Sequence, residues 1–206
     1  MKLSLNELFL YMQDTLLPPR KTEQLVRTLT MEELASLCSD EDGTLPYHHP
    51  TVAALVWEVK YYANKHAVGL CGELLAEQLL SAAADELGTP LLIPIPMHPA
   101  RRKARGHNQT ELLAAAALIH LQGALDYAPH ALRRVTQSPP QQTLPKHLRE
   151  KNVRDSIVIE KPELVQGRVC MVLDDVITTG ATCREAAKVL RRAGARTIYC
   201  IALAHS

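Results

Sequence analysis

The stretch Val172-Leu173-Asp174-Asp175-Val176-Ile177-Thr178-Thr179-Gly180-Ala181-Thr182 constrains this chain more than any other. It joins an apolar run to two adjacent carboxylates and then to a turn of small residues that opens a helix. Residues 169–173 are apolar throughout, as in a strand buried on both faces. Nothing bulky stands in 178–182, so backbone N–H groups there can approach an anion, and Thr178, Thr179 and Thr182 add hydroxyl donors. A helix over 182–193 adds its free N–H groups and the positive end of its dipole. Asp174 and Asp175 have the wrong charge for phosphate; they suit a ribose diol, a divalent cation, or both. The combination fits a phosphorylated sugar.

Apolar spacing predicts helices over 50–62, 66–86 and 108–121, and strands over 91–95, 131–135, 156–159, 168–173 and 197–203. Pro50 stands at a favoured first helical position, and Gly194 reads as a C-cap. Strands alternating with helices imply an α/β fold: a central, mostly parallel sheet flanked by helices, with right-handed crossovers. Ligands bind such sheets beyond the C-terminal strand ends. Segments 94–98 and 174–182 both follow strands on that edge, which suits a ligand with phosphates at both ends. Residues 1–46 read as a small helical N-terminal extension and 47–206 as the main domain. In the extension Leu5, Leu8, Phe9 and Met12 share a face, and Thr22 or Thr30 caps the next helix. Segment 39–43 reads as a polar linker. Pro139, Pro140 and Pro145 keep 136–154 from regular structure.

A formal net charge of +1 gives no global field toward nucleic acid or membrane. The basic residues cluster instead at 101–105 and 133–154. Five cysteines without a close pair argue against a disulfide framework and fit a reducing, cytoplasmic setting. Cys170 and Cys200 read as small hydrophobes in core strands, and Cys183 as a thiol whose pKa a helix N-terminus would lower. No signal peptide and no bilayer-spanning run is expected.

The acid pair with its Thr-Thr-Gly-x-Thr turn resembles, unbroken over the segment quoted, the phosphoribosyl pyrophosphate (PRPP) motif of type I phosphoribosyltransferases. Segment 93–109, from Ile93-Pro94-Ile95-Pro96 through Arg105-Gly106-His107-Asn108-Gln109, resembles the signature of the competence protein F (ComF) family; His107 stands where that family usually has Phe. A third segment, with Arg133, Arg134, Pro139, Pro140, Gln141, Gln142, Arg149 and Asn152, resembles the family's mobile loop. The resemblance runs from about residue 47 to 206. ComF-like proteins commonly carry an N-terminal zinc module with four cysteines. Only Cys38 falls in that region here, so no structural zinc is expected.

The resemblance implies a Mg²⁺-dependent phosphoribosyltransferase of nucleotide metabolism that binds PRPP and releases pyrophosphate to an unidentified acceptor. It implies that Thr178, Thr179, Gly180, Ala181 and Thr182 hold the 5′-phosphate. Asp174 and Asp175 then face the diol and, through water, Mg²⁺. Met97, His98, Arg101 and Arg102 meet the pyrophosphate, and Arg101, Arg102 or Arg105 neutralises it. Residues 101–105 read equally as a solvated basic turn, and Asn108 and Gln109 as helix caps. Thr178 stands where 6-oxopurine members carry an acid, which counts against hypoxanthine or guanine salvage. The N-terminal residues would form the hood, with His48, His49, Trp57, Tyr61 and Tyr62 as lining; Trp57 and Tyr61 read also as packed core. The Pro-rich loop would be a lid. Type I members often form homodimers. Two further readings stand: a non-catalytic PRPP- or nucleotide-binding regulator, and an accessory protein in competence and single-stranded DNA uptake. An aromatic content of 4% weakens the last, because base-stacking platforms need aromatic rings.

Overall fold

A computed structural model describes residues 19–39, 43–136 and 155–206. The expected face of Leu5, Leu8, Phe9 and Met12, most of the linker and nearly all of the Pro-rich loop lie outside those residues. In chain order the elements are α1 (Lys21–Arg27), α2 (Met31–Ala35), β1 (Leu45–Pro46), α3 (Pro50–Tyr62), α4 (Lys65–Ala83), β2 (Leu91–Pro94), α5 (Pro99–Arg105), α6 (Gln109–His120), β3 (Asp126–Tyr127), β4 (Leu132–Arg134), β5 (Ile157–Ile159), β6 (Val169–Ile177), α7 (Ala181–Arg192) and β7 (Thr197–His205).

The main sheet has the order β1-β7-β6-β2-β3, and every neighbouring pair is parallel. From β2 the chain steps outward to β3; from β6 it steps the opposite way to β7. The order therefore reverses between β2 and β6, where an open α/β sheet leaves a crevice at its C-terminal edge. Strand alternation builds two cores. Leu92, Met171, Leu173 and Leu203 pack with α3, α4 and α6 on one face. Leu91, Ile93, Cys170 and Val172 pack with Ala186 and Leu190 of α7 on the other. On the first face a Cβ at Gly72 would fall 2.5 Å from the Ala116 Cβ, so only glycine lets α4 and α6 approach this closely.

Residues ahead of β1 share the first core through Val26, Leu29 and Leu34. Thr30 caps α2 in a reciprocal box with Glu33. Thr22 does not cap: its hydroxyl donates to Glu58 of α3 at 2.6 Å. Arg20 (2.9 Å) and Asn64 (3.1 Å) donate to the same fully buried carboxylate. Burial alone would push the Glu58 carboxyl up, but the three donors outweigh it and hold the group below the usual carboxylate range.

Three further differences from the sequence reading matter for the site. The arginine-rich stretch is a helix, α5, begun by Pro99 at a first-turn position and by His98, whose Nδ1 accepts from the Ala100 N–H at 3.2 Å. Strand β6 continues to Ile177, so the acid pair lies within the strand. Strands β4 and β5 form a separate antiparallel ribbon. No helix among the described residues is long and apolar enough to cross a membrane.

Candidate functional site

Asp174 pairs in register with Ala202 near the C-terminal edge of the sheet, and alternation sends the two carboxylates to opposite faces. Asp175 faces the α3 side. Its Oδ2 lies 2.8 Å from Lys60 Nζ, and its Oδ1 accepts from the Val176 N–H at 2.8 Å. Asp174 faces the α7 side, where Cys183 and Arg134 feel its charge. Its Oδ1 accepts from the Asp175 N–H at 2.9 Å. Burial first, and the charge of Asp175 second, push the Asp174 carboxyl up to about 7. Burial opposes the charge on Lys60, but Asp175 beside it outweighs that, and the ammonium sits above its ordinary pKa.

Residues 178–180 turn the chain from β6 into α7. Gly180 is the N-cap residue at φ 70° and has no side chain of its own to cap the helix. The turn is braced from outside: Arg184 Nη1 donates to the Thr179 carbonyl at 2.6 Å, and Thr179 Oγ1 accepts from the Ala181 N–H at 3.4 Å. Thr178 is exposed, while Thr179, Ala181 and Thr182 are half-buried. This arrangement leaves hydroxyls and helix N–H groups for an anion.

The neighbouring strand supplies the second loop. Ile95 N–H donates to the Leu173 carbonyl at 2.8 Å, which fixes residues 95–98 beside the acid pair. Met97 and His98 are half-buried there. Asn108 caps α6, and its Nδ2 donates back to the Ile95 carbonyl at 3.1 Å, so the capping reading holds for it. His107, the departure from Phe, places Nε2 3.2 Å from the Val59 carbonyl of α3.

The arginines of α5 divide. Arg101 lies close enough to Arg134 for the charges to interact. Arg102 is turned to α6 and makes a two-pronged pair with Glu111 at 2.7 and 2.8 Å. Arg105 is held by Gln109 at 2.8 Å and lies 4.7 Å from the centroid of Tyr61. Trp57 and Tyr61 are each 40% exposed with ring centroids 4.3 Å apart, so the packed-core reading of these rings gives way to a surface pair.

Sequence reading missed two site residues. Lys60 is a lone cation beside the buried Val56 and Val59, and a charge on that flank of a helix asks for a buried partner. Arg134 follows Arg133 on β4, where alternation must turn one of them inward. Arg133 pairs with Glu160 at the surface, while Arg134 is half-buried and donates Nε to the Pro96 carbonyl at 3.0 Å. Burial lowers the pKa of Arg134, Asp174 opposes that, and Arg101 adds to it. The cysteine reading is also corrected. Cys200 is exposed; its interaction with Cys183, together with burial, pushes the Cys183 thiol up, whereas Cys200 is lowered.

Among the described residues no three acids, histidines or cysteines gather around a possible metal. A carboxylate near the C-terminal edge of the sheet still suits Mg²⁺, which keeps water ligands and takes phosphate oxygens from its substrate. The donor set therefore fits a hydrated Mg²⁺ carried with a polyphosphate.

Residues 79–206 match the family described as phosphoribosyl transferase domain. The chain belongs to that family. Within it the chain is ComF-like. It is 32% identical to the DNA utilization protein YhgH of Salmonella typhi, over 72% of this chain and 65% of that protein. It is 33% identical to competence protein F of Haemophilus influenzae, over 56% of this chain and 50% of that protein. The chain thus spans 65% of the first relative's length. A crystal structure of adenine phosphoribosyltransferase from Saccharomyces cerevisiae aligns over 70% of this chain and 72% of its own, with 12% identity and a TM-score of 0.46. The phosphoribosyltransferase match begins within α4, so the segment that carries Lys60 and the surface rings precedes it.

Proposed function

We propose that this protein binds PRPP with Mg²⁺ and transfers its phosphoribosyl group to a nucleophilic acceptor. The observation that carries this reading is the N-terminus of α7, opened by a glycine without a side chain, set after the acid pair and beside the loop 95–98 on the neighbouring strand. In this reading residues 178–182 hold the 5′-phosphate, Asp174 takes a ribose hydroxyl, and Met97, His98, Arg101 and Arg134 bind the pyrophosphate. A bound Mg²⁺ would supply further neutralisation of that leaving group.

Transfer breaks the bond from C1 to the pyrophosphate oxygen, and the electron pair leaves with pyrophosphate. The acceptor's lone pair forms the new bond to C1, and its proton passes to solvent. Charge builds on the leaving oxygen, so guanidinium groups fixed beforehand stabilise the transition state. The chain contributes positioning and charge, and no covalent nucleophile is required. The free cysteines suit a reducing cytoplasm. Pyrophosphate release from PRPP in the presence of candidate nitrogen nucleophiles tests turnover; binding without release under any of them would leave a PRPP-binding regulator.

A second reading has an observation of its own. Trp57 and Tyr61 present exposed rings on α3, with Arg105 over Tyr61 and Arg20 3.6 Å from the Tyr62 centroid. Rings with guanidinium groups suit stacked bases of a single strand. Salt-sensitive binding of a fluorescent oligonucleotide that Trp57→Ala abolishes would favour this reading.

A further inference from the structure

Asp175 and Asp174 are adjacent in sequence but not equivalent in the site. Asp175 is 6% exposed; its Oδ1 accepts from the Val176 N–H, and its buried Oδ2 is ion-paired with Lys60 Nζ at 2.8 Å but accepts no hydrogen bond of good geometry among the described residues. Asp174 is half-buried, faces the α7 side, and accepts from the Asp175 N–H through Oδ1. Two neighbouring carboxylates with no cation between them repel each other and resist ionisation together. Breaking a buried pair by removing one partner leaves an uncompensated charge. Lys60 supplies that cation from α3, a helix outside the span matched to the family.

We propose that Lys60 is a positioning residue: it anchors Asp175 on the α3 side so that Asp174 is the carboxylate presented to the ribose diol and the hydrated metal. This role rests on the PRPP reading. It divides the acid pair into an anchored member and a ligand-facing member, and it makes the segment ahead of β2 part of the site rather than a cover over it. Lys60 acts through Asp175, so its effect and that of Asp175 must not multiply.

The test is a calorimetric titration of PRPP with Mg²⁺ into wild type, Lys60→Met, Lys60→Arg, Asp175→Asn and the Lys60→Met/Asp175→Asn double variant. Binding by Lys60→Met is expected to weaken about tenfold or more, and Lys60→Arg, which keeps the charge, to stay within about threefold of wild type. The double variant should bind no more weakly than Asp175→Asn alone. A urea cycle on the same five proteins without ligand should show about tenfold or greater coupling in the unfolding constant. Wild-type binding by Lys60→Met, or single losses that multiply in the double variant, would overturn the role. If Lys60→Met does not fold, Lys60→Arg and the double variant decide by the same criteria, since neither leaves a lone buried charge. Failure of the PRPP reading looks different: wild type and every variant would then be silent to PRPP, and this role would fall with it.

Discussion

Arg134 Nε donates to the carbonyl oxygen of Pro96 at 3.0 Å, and this contact brings the β4–β5 ribbon to the loop that leaves β2. Its remaining donors make no hydrogen bond among the described residues, in a half-buried position near Asp174 and Arg101. In the PRPP reading, a guanidinium with donors left over among the described residues suits pyrophosphate.

Arg134→Gln should therefore weaken PRPP binding about tenfold or more. Arg133→Gln should stay within about twofold, because Arg133 pairs with Glu160 at the exposed surface. Calorimetric dissociation constants for the two variants check this; equal losses would remove Arg134 from the site.

Gly180→Ala should cost about 1–2 kcal/mol in stability, because Gly180 sits at φ 70° and a Cβ there would come within 3.2 Å of Arg184 Nη1. The same change should weaken PRPP binding more than it weakens the fold, since it displaces the brace on the turn 178–180. Urea unfolding read beside PRPP titration separates the two effects.

Asp174 gives a pH dependence of defined sign. Its folded pKa of about 7 lies above its unfolded value, so the folded chain holds a proton that the unfolded chain has released. In metal-free buffer this contribution to stability is full below about pH 4 and lost as pH rises through 7. Asp174→Asn should remove the fall and exceed wild type at pH 8 by on the order of 4 kcal/mol. Thermal unfolding of both proteins from pH 4 to 8 in a chelator checks it.

Glu58 behaves in the opposite sense. Its carboxyl is held low, so its contribution is present above the unfolded pKa and disappears as pH falls through the folded one. Glu58→Gln should cost about 2–3 kcal/mol at pH 7, because Arg20, Thr22 and Asn64 lose a charged acceptor, and the gap should narrow in acid. Urea midpoints at pH 7 and 3.5 measure both.

The β6–turn–α7 unit was legible in the sequence because three local signals agree there: an apolar strand, a turn of small residues and an amphipathic helix. The parallel order followed from the alternation of strands and helices. Helix α5 was not legible, since four arginines and lysines between Pro99 and Gly106 read as a basic turn, and a histidine cap lies outside the usual capping residues. The roles of Arg134 and Lys60 depend on partners at Pro96 and Asp175, many residues away, which no local pattern encodes. The exposure of Trp57, Tyr61 and Cys200 was misread because an apolar ring or thiol in a regular element normally lies inside. Alternation along β6 did carry the division of the acid pair, once the strand's true end at Ile177 is known.

The central claim is that the edge built by β2 and β6 is a PRPP site. Calorimetric titration of PRPP with Mg²⁺ into wild type and Asp174→Asn/Asp175→Asn addresses it most directly. Wild type should bind with micromolar, Mg²⁺-dependent affinity, and the double variant should lose about a hundredfold of it, roughly 2.7 kcal/mol. A folded wild-type protein that gives no heat with PRPP, or a double variant that binds as well as wild type, would contradict it.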